Sequence, residues 1–158
     1  MASPDRNRSL SGPRRLHPAR LAAARAAARQ GAAAFDGHVF EALRFRPAFP
    51  YFFRVCHRPT DLAPGTLHQA AIAPGTTVLA VTQSAMCDPE GFPDPGRFDP
   101  ARDFSDTFTF GMGHHECLGR HIAEAMVPEI TRQILLADQI TLAAAPDYRG
   151  GTVPAFWR

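Results

Sequence analysis

At 158 residues and 17.2 kDa, the chain has room for one domain, or for one modest core with a tail. All 17 basic side chains are arginine, and the absence of lysine excludes a Schiff-base lysine, a phosphate-loop lysine and a lysine general base. A hydrophobic fraction of 45% is too high for a wholly disordered chain, and no apolar run approaches the ~20 residues that cross a bilayer, so a soluble protein with no membrane span is expected.

The net charge of +2 conceals an asymmetry. Residues 1–29 hold seven arginines against one acid, Asp5, whereas the remainder holds ten arginines against fourteen acids. No base-stacking aromatics accompany the arginines of the front, so it reads as a tail and no nucleic-acid partner is expected. Residues 1–18 show no hydrophobic period and should be mobile. Leu21–Gln30 is almost all Ala and Arg, which favours helix but offers little bulk to bury, so this helix should be held loosely. Residues 1–37 thus form a basic Ala/Arg-rich tail with a loose helix, and residues 38–158 form the folded region. Within it, His38–Phe45 reads as a short helix with Val39, Phe40 and Leu43 on one face, ended by Pro47 and Pro50.

Phe52–Cys56 reads as a strand. Leu67–Ile72 and Thr76–Val81 are expected to pair as a hairpin about the Pro74-Gly75 turn. Residues 88–103 are dense in Pro, Gly and Asp, but Phe92 and Phe98 give this coil anchors and predict that it is ordered. After a glycine-rich loop ending at Cys117, the apolar residues Ile122, Met126, Ile130 and Ile134 recur every four positions. This spacing predicts a helix that packs that stripe inward, with Pro128 bending it without ending it.

Three cysteines, Cys56, Cys87 and Cys117, lie about thirty residues apart, which suits neither a disulfide framework nor a zinc ribbon and points to a reducing cytoplasm. Cys56 and Cys87 read as small inert hydrophobes. Cys117 differs, because it sits in a glycine-rich loop directly before a helix. Loop N–H groups and the positive helix end favour a thiolate there, and glycines let a flat ligand approach the backbone. A zinc site from His114, Cys117 and His121 is the alternative, but no fourth ligand is evident.

The segment from Phe110 through Gly113, His115 and Cys117 to Gly119 fills the pattern F-x-x-G-x-[HR]-x-C-x-G. It resembles the haem-binding loop of the cytochrome P450 superfamily, in which the cysteine is the axial iron ligand. Upstream, Glu41-Ala42-Leu43-Arg44 resembles that family's E-x-x-R helix, and Asp94-Pro95-Gly96-Arg97-Phe98 is similar to the segment that supplies a second arginine to its ion network. The resemblance implies a mainly α fold with small β-sheets, an α+β arrangement running from the E-x-x-R helix through the cysteine loop to the helix after it. It implies haem b as cofactor, Cys117 on the metal, Phe110 packed beside the proximal haem face, Arg54 and His115 holding haem propionates, and a buried Glu41–Arg44–Arg97 network under the loop. On that network, losing Arg97 should cost more stability than losing Arg102.

The resemblance runs from about His38 to Leu136, whereas a complete member is more than twice as long as this chain. The helix over the distal haem face is missing, with its acid–alcohol pair. The expected function is therefore a haem-thiolate oxidoreductase acting on a small organic substrate, a monooxygenase if a redox partner and a complementary distal-half chain complete it. One alternative is rearrangement of fatty-acid hydroperoxides, suggested by Ser84-Ala85-Met86 and Pro128-Glu129 and needing neither reductase nor acid–alcohol pair. The other is a truncated module that binds haem without catalysis.

Overall fold

The computed structural model describes residues 18–105 and 107–137. The tail expected over residues 1–18 lies outside these except for Pro18, and so do residues 138–158. Helix α1 spans Pro18–Gln30 and helix α2 Ala32–Phe45, with Gly31 between them. Strands β1 (Phe52–Val55), β2 (Thr60–Leu62), β3 (Ala70–Ile72) and β4 (Thr77–Ala80) follow. The one-turn helix α3 (Thr82–Ala85), a long coil, a 3-10 turn at Gly113–His115 and helix α4 (Arg120–Leu136) complete the order.

Helices α1, α2 and α4 pack on one another around Ala27, Ala28, Phe35 and Val39, with Leu43, Val127, Leu135 and Leu136 closing the cluster. The loose α1 expected from its composition is not what forms. Its alanines let a neighbouring backbone approach so closely that Ala28 is wholly buried, and the guanidinium of Arg132 on α4 donates to the Ala28 carbonyl at 3.4 Å. That carbonyl belongs to the last turn of α1, where main-chain acceptors lack helical partners and a cation is favoured. Helix α2 also begins six residues earlier than the short helix expected, so a boundary at 37/38 would cut it mid-helix. Gly37 is tolerated there because the coil crosses it closely: a Cβ at Gly37 would lie 2.0 Å from the Pro100 carbonyl oxygen.

The strands form two antiparallel pairs, β1 with β4 and β2 with β3. The expected hairpin of β3 with β4 does not form. The Thr76 N–H does donate to the Ala73 carbonyl at 3.2 Å across Pro74-Gly75, but the Gly75 N–H donates to the Cys56 carbonyl at 2.7 Å and the Cys56 N–H to the Thr76 carbonyl at 2.9 Å, so the turn passes the chain from one sheet to the other. In the first sheet Phe52 faces Ala80, Phe53 faces Leu79, Arg54 faces Val78 and Val55 faces Thr77. Residues 88–103 are anchored as expected, with Phe92 buried and Phe98 stacked on Phe45 at 6.0 Å.

Helix α4 runs through Pro128 to Leu136, but the inward stripe is a different one. Ile122, Met126, Ile130 and Ile134 are 69%, 51%, 50% and 48% exposed, while Val127, Leu135 and Leu136 pack against the helical core and Pro128 is buried. Regular spacing identified an apolar ridge correctly; a second apolar stripe on the same helix took the interior.

Candidate functional site

The Cys117 loop is closed by its own main chain. The Cys117 N–H donates to the Phe110 carbonyl at 2.7 Å, and inside that bridge the Glu116 N–H reaches the Gly113 carbonyl at 3.0 Å. So tight a path needs left-handed backbone, which Gly111 supplies at φ 77° and Gly113 at φ 60°. A Cβ at Gly111 would also stand 2.6 Å from the His115 carbonyl oxygen. The result is an exposed thiol two residues ahead of the α4 N-cap, Gly119, whose own missing Cβ would lie 3.9 Å from the sulfur.

An aromatic ladder fastens the loop to α2. Phe110 meets Phe104 edge-on at 6.0 Å, and Phe104 stacks on Phe40 at 4.2 Å. Phe40 is legible in the sequence only as a helix-face residue and Phe104 not at all, because two sheets and a long coil separate them with no periodicity to align them.

Beneath lies the ion network. Arg44 is wholly buried and binds Glu41 in two places, Nε to Oε2 at 2.8 Å and Nη2 to Oε1 at 2.9 Å. Its remaining N–H groups donate to the carbonyls of Met86 at 2.6 Å, Pro95 at 2.8 Å and Arg97 at 3.4 Å. The guanidinium also lies 4.3 Å from the Phe45 ring centre and 5.7 Å from that of Phe92. One arginine thus ties α2 to three points of the coil, and the hydrogen-bonded Glu41 carboxylate raises its pKa so that the charge is secure.

The third member is not Arg97. Its side chain is 65% exposed and pairs with Asp99, and only its carbonyl touches the network. Arg102 takes the place: its side chain is 13% exposed, with Nε 3.5 Å from Glu41 Oε1 as an ion pair rather than a hydrogen bond. The Asp99 N–H adds a bond to the same carboxylate oxygen at 3.1 Å. Arg97 sits in the tight turn in which its own N–H donates to Asp94, which carries its side chain outward; the chain turns back at Pro100, and Arg102 enters from there. The expected order of the two arginines for stability is accordingly reversed.

Arg54 and His115 do come together. With Phe52, Phe108, Gly111 and Met112 they line a cavity of about 620 Å³ between the first sheet and the cysteine loop. Period-2 alternation explains this: Phe52, Arg54 and Ala80 turn to the cavity, while Phe53 and Leu79 turn away. The lining is chiefly apolar, with the Arg54 guanidinium, which also donates to the Phe53 carbonyl at 2.8 Å, and the His115 imidazole as its basic members, which suits a flat apolar ligand bearing carboxylates. Cys117 lies in the adjoining loop and not among the lining residues. Among the described residues, no group of three or more His, Cys, Asp and Glu side chains could hold a metal ion, and His121 is 93% exposed. A porphyrin metal needs only one protein ligand, so an apolar lining that includes Arg54 and His115, beside an exposed thiol, fits a haem.

The family model for cytochrome P450 matches residues 35–139, about two thirds of the sequence. The chain belongs to the cytochrome P450 family. It is 40% identical over 101 residues to the cytochrome P450 monooxygenase PikC of Streptomyces venezuelae, a match covering 63% of this chain and 23% of that protein. It is also 46% identical over 54 residues to the 6-deoxyerythronolide B hydroxylase of Saccharopolyspora erythraea, covering 34% of this chain and 13% of that enzyme. Among solved structures, cytochrome P450 CYP109Q5 from Chondromyces apiculatus superposes with a TM-score of 0.69 at 28% identity, over 88% of this chain and 35% of that one. The matched stretches therefore span between 13% and 35% of these relatives' own length. The mainly helical P450 fold with small antiparallel sheets is shared, and haem is the cofactor that the family implies.

Proposed function

We propose that this P450 chain carries the iron-holding part of a haem-thiolate monooxygenase, in which Cys117 would hold the iron of a haem b through its thiolate. The observation that carries the reading is the joint placement of an exposed thiol on a doubly anchored loop and an apolar cavity lined in part by Arg54 and His115. Haem b is favoured over a covalently attached haem because no Cys-x-x-Cys-His attachment sequence is present. When bound through a thiolate, the haem supplies oxygen activation, since that ligand pushes electron density toward O–O cleavage.

The chain's own residues do the holding. Gly111 and Gly113 give a main-chain surface free of side chains for close approach, and Phe110 supports the loop from below. Arg54 and His115 are placed for the propionates, where charge-assisted hydrogen bonds are about twice as strong as neutral ones. Glu41, Arg44 and Arg102 keep the loop's supporting coil in register. Electrons would come from a redox partner, and the substrate is a small organic molecule. No helix among the described residues is long and apolar enough to cross a membrane, in keeping with a cytoplasmic protein.

A second reading is favoured by a different relative. The chain is 29% identical over 98 residues to a bifunctional dioxygenase–epoxy alcohol synthase of Fusarium oxysporum, covering 62% of this chain and 8% of that protein. Under it, the same cysteine loop serves hydroperoxide rearrangement without a reductase. The test is to load the whole chain with haemin, reduce it under carbon monoxide and record its spectrum. A strongly red-shifted Soret band that disappears in Cys117→Ala supports the haem-thiolate site, and failure to take up haem contradicts it. Turnover of a fatty-acid hydroperoxide without reductase would select the second reading.

A further inference from the structure

Helix α4 starts without the usual means of fixing its entry angle. Its N-cap is Gly119, no side chain caps its first N–H groups, and no acidic residue stands in its first turn. Ser, Thr, Asp or Asn at the N-cap would bond those groups, and a carboxylate there would favour the positive helix end. The first helical position instead holds Arg120, a cation at the end of the dipole where cations are disfavoured. Two carboxylates offset it. Arg120 Nη1 donates to Glu116 Oε1 at 2.5 Å, and its Nε donates to Glu124 Oε1 at 2.7 Å. The partners stand four positions before and four after, so the three side chains form one row from the loop across the N-cap to the second turn.

This row brackets Cys117. Before the cysteine, the Glu116 N–H is held by the Gly113 carbonyl at 3.0 Å; after it, the Arg120 N–H donates to the Cys117 carbonyl at 3.1 Å. The bond from the Cys117 N–H to Phe110 closes the loop on itself, but does not tie it to the helix. Gly119 adds no side chain to that junction. We propose that Arg120 is a positioning residue for Cys117: bound to Glu116 and Glu124, it locks the cysteine loop onto α4 and fixes the direction in which the thiol is held. This rests on the reading of Cys117 as the iron ligand, the role that makes the sulfur's direction matter. A row that merely supported α4 would act on the helix alone, whereas Glu116 lies outside the helix and acts on the loop. All three side chains are partly exposed, so the clamp should be sensitive to salt.

The test is deuterium exchange of the haem-free full chain, read by mass spectrometry over residues 111–119 and over residues 128–136. Arg120→Gln should speed exchange in the loop by about threefold, the worth of two partly exposed bridges, and leave the later half of α4 unchanged. Glu116→Gln should reproduce most of that rise. Sodium chloride at about 1 M should produce it in the unmodified chain, an arm that needs no variant to fold. After haemin loading and reduction under carbon monoxide, Arg120→Gln should lose part of the red-shifted Soret intensity at equal haem content and unchanged melting temperature. Loop exchange that stays at the unmodified rate in both variants and in salt would overturn the assignment. So would loosening spread equally along α4, or an unaltered Soret band in Arg120→Gln. Failure of the iron reading is separately visible: an unmodified chain whose haemin lacks the red-shifted band contradicts that reading, while the exchange arms judge the clamp without haem.

Discussion

At the scale of single residues, the strongest constraint is one buried arginine. Removing Arg44 would leave Glu41 charged in a dry site and three coil carbonyls without their donor. Breaking a buried pair in this way costs about 3–5 kcal/mol. Arg102→Ala removes an ion pair at 3.5 Å and should cost about 1–3 kcal/mol, whereas Arg97→Ala removes an exposed pair worth about 1 kcal/mol or less. Urea unfolding of the three variants should rank them in that order; equal losses for Arg97 and Arg102 would place both in the network. A second residue-scale effect concerns acid. Hydrogen bonds from Arg132 and then Gln133 hold the Glu129 carboxyl at about 2, below its ordinary 4.5. A depressed carboxylate stabilises the fold above its unfolded pKa and loses that contribution as pH falls toward the folded one. Glu129→Gln should therefore flatten the decline in melting temperature between pH 4.5 and 2. Asp36 acts in the opposite sense, because burial and then Glu129 raise its pKa, so Asp36→Asn should raise the melting temperature near neutral pH.

At the scale of elements, close approach decides where glycine is required. Gly37→Ala would gain about 1 kcal/mol of helix propensity, yet its Cβ would meet the Pro100 oxygen at 2.0 Å. Overpacking of this kind costs about 1–3 kcal/mol, so the variant should melt lower. Gly111→Ala combines a left-handed φ with a 2.6 Å approach to His115, and should weaken haem uptake in a titration while leaving the helical circular dichroism intact. The elements themselves were largely legible in the sequence. The E-x-x-R helix, β1, the anchored coil and the cysteine loop stood out because short-range features mark them: family motifs, prolines, glycines and aromatic anchors. What could not be read was long-range. Nothing local says that Pro74-Gly75 turns between sheets, or that the i±4 ridge of α4 loses the interior to Val127, Pro128 and Leu135. The Arg97 assignment failed similarly, because two arginines five positions apart are equivalent until the turn at Asp94–Arg97 directs one outward.

At the scale of the whole molecule, the chain is one layer of a larger fold. Its α1–α2–α4 core and ion network support the closed loop that carries Cys117, and apolar faces of α4 and of the first sheet are exposed. The missing lysines exclude several chemistries, and the proposed role of Cys117 needs none. The site residues drawn from the sequence fall into two groups in space. Arg54 and His115 line one cavity, and Phe110, Gly113, Cys117 and Gly119 build the loop beside it. The most direct measurement of the central claim is iron K-edge X-ray absorption of the haemin-loaded full chain, beside Cys117→Ala. A single sulfur in the first coordination shell of iron, replaced by a light atom in the variant, is the predicted result. A first shell holding only nitrogen or oxygen in the unmodified chain would contradict it.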